Sequence, residues 1–476
     1  MTSPDALPDR RRAWTVTWTV LLGAFWVSST ITILAVSRPA IAADLHTSVE
    51  SLVWLISGPT IALALTGTTA GKLGDLHGHR RVYLVGMVGA TVFVVASALA
   101  WSGPSLIAFR VLGATIGAAT IPSSLAVINR MFGPADRSRA LGFWSLVVAG
   151  GPVLGLVVGG PLVAHLGWRA MFWAQAPLLA LSAVLAAFVL PETPRQRDVH
   201  FDVHGQVALA VAMAGLLAGI DRATHWGPGS PVVLALFATV PFSLWWFVAV
   251  ERRAAHPLIP LAWFRRRSFA VAVAVGFFVQ FGYMGGFTLT PKMLDEVSGL
   301  GPDTVALAMV PRPLAFAVAG PVAGLLARRV TARATVVLGT SLLVASLASF
   351  AAVATDPVLG VVVVALTLSG LGIGAAQPRL AATVANSVED SQLGVAGATQ
   401  LLVAQIGTTI GMNLLEAVQA GSRAAVGVGG SYRLAYAVGA VVSAVGVLLA
   451  VRLRDPGESR PDAAPADTAV PAGRTL

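Results

Sequence analysis

The sequence predicts an all-α integral membrane protein with fourteen transmembrane helices. Of the 476 residues, 56% are hydrophobic and only 11% are charged, whereas about 25% of the residues of an average soluble domain are charged. Apolar segments of about twenty residues, the length that crosses a bilayer as a helix, recur from one end of the chain to the other. Arginine and lysine are concentrated in every second loop between these segments.

The same composition excludes several other classes of protein. There are too few charged residues to cover the surface of a soluble protein of this length. The net charge of +10 comes almost entirely from arginine, and membrane topology explains basic residues between apolar segments better than nucleic-acid binding does. The chain has no cysteine, which excludes disulfides, thiolate metal sites and cysteine nucleophiles. We therefore expect no catalytic residue, no metal site, no cofactor and no nucleic-acid partner.

Each apolar segment is expected to be helical, because every backbone N–H and C=O group in hydrocarbon needs a partner within the protein. Glycine and proline within the segments do not contradict this, since membrane helices tolerate both. The fourteen segments cover residues 14–37, 50–70, 82–101, 105–128, 140–163, 169–190, 205–221, 231–250, 268–291, 303–326, 334–354, 357–378, 394–417 and 432–452.

The placement of basic residues predicts the topology. With the N-terminus inside, the cytoplasmic segments hold 24 of the 32 arginines and lysines, and the outer segments hold six. The remaining two, Arg110 and Arg312, lie inside predicted spans, with residues at the span ends counted in the adjoining loops. Because basic residues are enriched in cytoplasmic loops, both termini are predicted to be cytoplasmic.

A short repeat divides the spans into two halves. The loops after the second and the tenth span share three residue types at the same offsets: Gly71, Leu73 and Arg80 against Gly324, Leu326 and Arg333. Each loop follows the second helix of a six-helix block if spans seven and eight are an inserted hairpin. The arrangement is then 6 + 2 + 6 in two pseudo-symmetric halves. Repeated halves around a central cavity are a common plan of secondary transporters.

This arrangement predicts five regions. Residues 1–12 form a cytoplasmic tail, 13–190 and 268–454 are the six-helix halves, and 191–267 hold the inserted hairpin with its cytoplasmic linkers. Residues 455–476 form a second cytoplasmic tail, which is rich in proline, alanine and charge. That composition predicts disorder.

Several motifs carry a resemblance to a known family. The 71–81 loop reads Gly-x-Leu-x-Asp-x-x-Gly-x-Arg-Arg, formed by Gly71, Leu73, Asp75, Gly78, Arg80 and Arg81. The fifth span contains Gly151-Pro152-x-x-Gly155-x-x-x-Gly159-Gly160, the sixth opens on Trp168-Arg169-x-x-Phe172, and the hairpin begins at Phe201-Asp202-x-x-Gly205. With these motifs the chain resembles the major facilitator superfamily, in particular its fourteen-span drug:proton antiporter branch, over nearly its whole length. The resemblance implies the major facilitator fold.

The resemblance also implies two devices that control access to a cavity. The first is a conformational latch formed by Gly71, Asp75, Gly78, Arg80 and Arg81, with Asp75 at a helix end and close to the two arginines. Its alternative is a solvated salt bridge worth about 0–1 kcal/mol. The second is a gating seam formed by Gly151, Pro152, Gly155, Gly159 and Gly160, where small residues on one helix face let another backbone approach. Its alternative is ordinary helix packing.

Charged and polar side chains within the spans are candidates for coupling and binding. Arg110 needs a partner or a wet cavity, because a charge at membrane depth costs at least about 2.5–3.5 kcal/mol. The family has an arginine there that is held to take part in proton coupling. Glu416, the clearest membrane carboxylate, is the second coupling candidate; its alternative is a glutamate at headgroup level. The candidates for the substrate cavity are Arg38, Gln280, Tyr283, Met284, Arg312, Gln405 and Asn413. For Arg312 the alternative is that it satisfies backbone carbonyls freed by the flanking prolines.

The first span departs from the family pattern. The usual aspartate is Thr30 here, the usual asparagine is Ala35, and the usual leucine is Arg38. The first half therefore has no carboxylate within the membrane, and the embedded charge is net positive. We expect an anionic or neutral amphipathic substrate, and we expect a ligand anion or Glu416 near Arg312, since an unpaired buried cation is costly.

The predicted function is secondary active export of a hydrophobic or amphipathic small molecule, an antibiotic or a natural product, by proton antiport and alternating access. The alternative is a facilitator or importer of an organic anion without the usual proton coupling. An enzyme is not expected, because there is no cysteine, no histidine at mid-span and no pair of acids within a span. The expected partners are the substrate, protons and the lipid bilayer, with the chain a monomer in the cell membrane.

Overall fold

The computed structural model describes residues 9–48, 52, 54–193, 203–227, 229–253 and 259–453. Most of the predicted N-terminal tail and the whole predicted C-terminal tail at 455–476 lie outside these residues. Phe201 and Asp202 of the predicted hairpin motif, and parts of the linkers around the hairpin, also lie outside them.

The described residues form fifteen α-helices, joined by short connections. The helices are α1 Arg10–Asp44, α2 Trp54–His77, α3 His79–Ala98, α4 Gly103–Gly117, α5 Thr120–Met131, α6 Pro134–Leu166, α7 Trp168–Val189, α8 Val203–Trp226, α9 Pro231–Glu251, α10 Arg267–Glu296, α11 Pro302–Met309, α12 Pro311–Leu325, α13 Ala332–Val353, α14 Leu359–Asn386 and α15 Leu393–Ala450. Short 3₁₀ helices cover Leu261–Arg265, Leu326–Arg328 and Asp390–Gln392.

Nine helical stretches of the described chain are long and apolar enough to cross a membrane by length and composition. The prediction of an all-helical membrane protein is confirmed. Two of these stretches join consecutive helices, α4 with α5 and α11 with α12. The joining residues Ala118, Ala119 and Val310 keep right-handed helical angles, so each pair continues in one direction.

The longest helix, α15, contains a break. Gly427 has φ 72° and ψ 177°, a conformation that glycine adopts without the steric cost of a Cβ atom. The break lies between the predicted spans 394–417 and 432–452. The 58 residues of α15 therefore form two arms rather than one continuous rod.

Two bundles make up most of the molecule. In the N-terminal bundle, α1–α7, helix α1 packs on α6 and α7, and α3 packs on α4 and α7, around a core that includes Tyr83, Trp144 and Phe172. In the C-terminal bundle, α10–α15, helix α10 packs on α15, while α12 and α13 both pack on α14. Its core includes Phe269 and Phe350.

Helices α8 and α9 pack mainly against each other. Leu209 of α8 and Phe247 of α9 are buried in a small cluster with Leu402 of α15. On the other side of the pair, Phe242 and Trp245 of α9 are exposed. A helix that is apolar on its outer face as well as its inner face is suited to contact with lipid.

The two bundles meet along α6 with α12 and along α2 with α15, with further contacts of α14 with α6 and of α5 with α15. The closest of these contacts lie near the helix ends. The C-terminal part of α2 meets the start of α15, and the C-terminal part of α12 meets the N-terminal part of α6. By the predicted topology these helix ends face the cytoplasm, and we call this the cytoplasmic end. The candidate site lies above it, between the bundles.

Candidate functional site

A cavity lies between the two bundles, and we call it the central cavity. Leu63 and Gly67 of α2, together with Ile121 and Pro122 of α5, line its N-terminal side. Residues of α10, α14 and α15 line its C-terminal side, among them Ala398 near the start of α15. The empty space, counted together with solvent at the open mouth, amounts to about 870 Å³.

Four glutamines line the C-terminal side of the central cavity: Gln280 of α10, Gln377 of α14, and Gln400 and Gln405 of α15. Oε1 of Gln280 is buried and has no hydrogen-bond partner. A buried amide oxygen without a partner is costly, so a ligand that donates a hydrogen bond there would be stabilised. Gln280 and Gln405, both predicted from the sequence, thus lie in the cavity, whereas Gln377 and Gln400 were missed.

A second cavity of about 1010 Å³ opens within the N-terminal bundle, and we call it the side cavity. Arg110 of α4 lines it, with its guanidinium carbon 6.0 Å from the ring centre of Phe172. Nε of Arg110 is buried without a hydrogen-bond partner. Gln405 lines both cavities, so the side cavity adjoins the central one and brings Arg110 towards it.

Asp75 closes the cytoplasmic end of the central cavity. Its carboxylate is 2% exposed. Oδ1 lies 2.9 Å from Nε2 of His79, and Oδ2 accepts a hydrogen bond of 3.1 Å from the backbone N–H of Val395. Val395 is in the first turn of α15, where free N–H groups and the helix dipole favour a negative charge. One side chain of the N-terminal bundle therefore binds the N-terminus of a helix of the other bundle.

A close backbone contact accompanies this hydrogen bond. A Cβ atom added to Gly71 would lie 2.7 Å from the carbonyl oxygen of Gly394, and one added to Gly394 would lie 2.8 Å from that of Gly71. The contact also includes Ala398, which lines the cavity floor. Leu63, Gly67, Gly71 and Asp75 are spaced by four residues and share one face of α2. That face runs from the cavity wall to the closed end.

The arginines of the predicted latch lie elsewhere than expected. Arg80 donates to a carboxylate oxygen of Glu192 and to the carbonyl of Ala187, at the end of α7, and Arg81 is exposed. The nearest arginine to Asp75 is Arg130 of α5, with Nη2 at 4.0 Å from Oδ1. The expected proximity of Asp75 to Arg80 and Arg81 is therefore replaced by contacts with His79 and Arg130, because Arg80 is directed towards the end of α7 and Arg81 is exposed.

Gly78 joins α2 to α3 with φ 93°. L-residues rarely adopt this conformation, whereas glycine does so at little cost. The turn brings His79 back under Asp75, and the backbone N–H of His79 donates to Oγ1 of Thr193 at 2.7 Å. Gly78, which belongs to the predicted latch, therefore forms the turn that places His79 at the closed end.

A second contact between the bundles joins α6 to α12. A Cβ atom on Gly142 would lie 2.4 Å from the carbonyl oxygen of Gly320, and one on Gly324 would lie 2.7 Å from the carbonyl oxygen of Ser138. Ser138 and Gly142 are four residues apart, as are Gly320 and Gly324, so each pair lies on one helix face. We call this the α6–α12 contact. Sequence reasoning missed it, although Gly324 was part of the predicted repeat.

Polar pairs surround these contacts at the cytoplasmic end. Arg137 donates to Oδ1 of Asn386 and to Oδ1 of Asp390, each at 2.8 Å. Arg328 donates to both carboxylate oxygens of Asp136 at 2.9 Å. Both sets join the N-terminal bundle to the C-terminal one. Since Asp136 and Arg328 are exposed, we expect their pair to contribute only about 0–1 kcal/mol.

Comparison with known proteins places this architecture. A family model described as Major Facilitator Superfamily matches residues 20–412 and, in a second match, residues 273–474. The chain belongs to the major facilitator superfamily. It is thus a transporter, in agreement with the fold and with the expectation that it is not an enzyme. The resemblance identified from the motifs is confirmed.

Relatives of this major facilitator include proteins named for antibiotic resistance. It is 32% identical to the tetracenomycin C resistance and export protein of Streptomyces glaucescens, over 86% of this chain and 77% of the relative. It is 30% identical to the puromycin resistance protein pur8 of Streptomyces alboniger, over 88% of this chain and 84% of the relative. The fold matches the crystal structure of the human organic anion transporter MFSD10, with a TM-score of 0.65, 16% identity, and coverage of 93% of this chain and 100% of that one.

One residue of the predicted gating seam, Gly151, packs within one bundle of this major facilitator. A Cβ atom on Gly151 would lie 2.9 Å from the carbonyl oxygen of Phe25 and 3.0 Å from Cβ of Ser28, both on α1. Gly151 therefore permits α6 to approach α1 rather than the opposite bundle. The other predicted seam residues, Pro152, Gly155, Gly159 and Gly160, lie in α6, and their surroundings are outside the described part of the chain.

The position of Arg312 does not match its predicted role as a residue of the substrate cavity. It is 1% exposed and is not among the described lining residues of either cavity. Its guanidinium carbon lies 3.7 Å from the ring centre of Tyr283 and 4.6 Å from that of Phe287, and Nη2 donates to the carbonyl of Tyr283. Cation–π contacts of this kind stabilise a desolvated guanidinium. Tyr283 and Met284 likewise are not among the described lining residues.

Glu416 does not reach Arg312. Its Oε1 accepts a hydrogen bond of 2.9 Å from Nζ of Lys292, and both side chains are partly exposed, near the C-terminal end of α10 and before the break in α15. Asn413 donates to the carbonyl of Thr409, one turn earlier in α15. Arg38 is half-buried in α1 and takes part in an interaction of its own. Of the charged candidates, Arg110 is therefore the one placed against a cavity.

The motif that opens α7 secures the outer end of the N-terminal bundle. Nε1 of Trp168 donates to Oδ2 of Asp44 at 3.1 Å, and Arg169 donates to the same carboxylate and to the carbonyl of Ala100. The hydrogen bond from Arg169 is the main cause that holds the pKa of Asp44 below its usual range. The carboxylate therefore stays ionised and joins the end of α1 to α7.

Proposed function

We propose that the protein is a secondary active exporter of hydrophobic or amphipathic small molecules, an antibiotic or a natural product among them. Relatives at 32% and 30% identity are named for tetracenomycin C resistance and export and for puromycin resistance. The central cavity lies between two bundles and is lined mainly by apolar side chains with a few amides. These features suit a compound that enters from the membrane or the cytoplasm.

Alternating access is the mechanism we propose. The observation that carries it is the Asp75 contact with the first turn of α15, because it joins the two bundles directly below the cavity. Breaking it, together with the α6–α12 contact, would let the bundles part at the cytoplasmic end. A charge-assisted hydrogen bond of about 1.5–3 kcal/mol is strong enough to hold one state and weak enough to be opened by substrate binding.

Proton antiport is part of the proposal, with Arg110 and Glu416 as its coupling candidates. Arg110 lies in the side cavity, and its Nε has no hydrogen-bond partner. Its interactions would therefore respond to a proton or a charged group that enters the cavity. The organic-anion facilitator remains the second candidate function, since Arg110 supplies a cation and the first span lacks the usual aspartate. Dependence of transport on an imposed pH gradient separates the two.

We further propose fourteen spans arranged 6 + 2 + 6, with both termini in the cytoplasm and a monomer as the unit in the cell membrane. Its regions are the tails at 1–12 and 455–476, the halves at 13–190 and 268–454, and the hairpin region at 191–267. Three features support this layout: the mutual packing of α8 and α9, the break at Gly427, and the helix bounds near the predicted segments.

The topology is tested by reporter fusions. A fusion after His225 and a fusion after Ser422 are both expected to report an extracytoplasmic position, because each lies in a segment between an outward and an inward span. A fusion after Arg329 is the control and is expected to report the cytoplasm. A cytoplasmic signal at either of the first two positions would contradict the fourteen-span layout.

Export is tested with everted membrane vesicles that contain the full chain. Vesicles energised by a proton gradient are expected to accumulate an uncharged hydroxyanthraquinone, emodin, several-fold above vesicles without the protein, and collapse of the gradient by a protonophore is expected to abolish the difference. Protein-dependent uptake that only reaches equilibrium and does not change with the gradient would favour the facilitator. Absence of any transport over a panel of cationic, neutral and anionic drugs would refute export.

A further inference from the structure

The chemistry of the central cavity is unusual for a pocket that binds cations. Of its described lining residues, none carries a charge and none is aromatic. In a site shielded from water, a cation is stabilised by a carboxylate or by aromatic faces. The described lining offers neither, and the aromatic residues of α10 contribute nothing to it.

Among the described lining residues, the polar groups are all on one side. The four glutamines belong to α10, α14 and α15, whereas the opposite wall is formed by Leu63, Ile121 and Pro122. An amide offers two N–H donors and one carbonyl acceptor. A flat molecule could therefore place an apolar face against α2 and α5 and its carbonyl and hydroxyl oxygens against the amides. The unpartnered Oε1 of Gln280 would accept a hydrogen bond from one of those hydroxyl groups.

The adjoining charge is positive. Arg110 lines the side cavity, and Gln405 lines both cavities. The buried Nε of Arg110 has no hydrogen-bond partner. An anionic group on a bound molecule would offset the cost of this desolvated cation, whereas a cationic group would add to it.

We infer that the central cavity recognises uncharged or anionic molecules that carry several carbonyl and hydroxyl oxygens, and that it disfavours cations. Gln280, Gln377, Gln400 and Gln405 bind the oxygens, and Arg110 attracts an anionic substituent. The inference rests on the proposed function, in which this cavity is the transport site, and it names the substrate class of that site.

The experiment is carried out below neutral pH and compares three compounds with one anthraquinone scaffold: rhein, which is anionic, emodin, which is then uncharged, and mitoxantrone, which is cationic. Binding to the purified full chain is measured by quenching of tryptophan fluorescence, and export is measured in everted vesicles. We expect rhein and emodin to bind and to be exported at least about tenfold better than mitoxantrone, a difference of about 1.4 kcal/mol.

Variants assign the preference to the cavity. Gln280→Glu and Gln405→Glu each place a carboxylate in the lining, and each is expected to raise the mitoxantrone-to-rhein ratio at least about tenfold. Gln419→Glu is the matched control. It makes the same change on the same helix, but Gln419 lies fourteen residues beyond Gln405 and bonds to Ser431, so the ratio is expected to stay as in the wild type. Arg110→Gln is expected to weaken rhein more than emodin.

Binding and export separate the two proposals. If mitoxantrone binds the wild type at least as well as rhein and emodin, or if the glutamate variants leave the ratio unchanged, the inference is overturned. If the binding order is as expected but no compound is exported, the inference stands and the proposed export function fails. If one glutamate variant does not fold, the other still tests the inference. The order in which the wild type binds the three compounds is an independent test.

Discussion

Replacing Gly142 by alanine is expected to lower export at least about tenfold while the protein stays in the membrane. The added Cβ atom would lie 2.4 Å from the carbonyl oxygen of Gly320, and a backbone atom of a packed helix has little room to move. Overpacking of this kind costs about 1–3 kcal/mol, and 1.4 kcal/mol is a tenfold change in an equilibrium. The state closed at the cytoplasmic end would be destabilised, and the cycle would stall with the bundles apart.

The matched control is Gly150→Ala. Gly150 is on the same helix, and a Cβ atom there meets nothing within 4 Å among the described atoms, so export is expected to remain close to that of the wild type. Because the chain contains no cysteine, spin labels at Arg12→Cys and Arg333→Cys report the separation of the bundles directly. Gly142→Ala is expected to lengthen that distance. Wild-type export together with an unchanged distance would refute the role of the α6–α12 contact.

Asp75→Asn is the second substitution with a large expected effect. It keeps the shape of the side chain and an oxygen that accepts from Val395, but it removes the negative charge from the first turn of α15 and from the neighbourhood of Arg130. A charge in a partly buried position at a helix N-terminus contributes up to about 2 kcal/mol. We expect export to fall about tenfold, in line with the conversion of 1.4 kcal/mol to a factor of ten.

The control for this charge is Asp136→Asn. Asp136 also joins the two bundles, through Arg328, but the pair is exposed, and exposed pairs contribute about 0–1 kcal/mol. Export is therefore expected to change by less than about threefold, because the loss of about 0.5 kcal/mol corresponds to a change smaller than threefold. Equal losses in the two variants would show that net charge at the cytoplasmic end matters and that the burial of Asp75 does not.

The helical architecture was readable from the sequence because hydrocarbon imposes a simple rule. Each apolar segment must satisfy its own backbone hydrogen bonds, so local hydropathy alone predicts a helix. The arrangement of halves was visible only as the repeat of Gly71 and Gly324. In the structure each of these glycines packs against the opposite bundle, Gly71 on Gly394 of α15 and Gly324 on Ser138 of α6. The repeat thus marked two equivalent contacts.

The candidate site was readable only in part. Asp75, Gly71 and Gly78 were singled out by their motif, and Gln280 and Gln405 by being polar in an apolar span. Val395 could not be found in this way, because its contribution to the closed end is a backbone N–H that every residue but proline carries. His79, Gly142 and Gly394 gave no signal of their own, since their importance depends on which helix lies opposite.

Arg312 shows most clearly what the tertiary structure decided. Its sequence context predicted a cation within a span. Because a desolvated charge is costly, the sequence also predicted that another group must lie near it and offset that cost. The expected partner was a ligand anion or Glu416. In the fold Tyr283 and Phe287 supply aromatic faces and Glu416 binds Lys292. The sequence by itself determined the helices, the topology prediction and the residues in need of a partner; only packing, which sets distances between residues far apart in the chain, decided the partners.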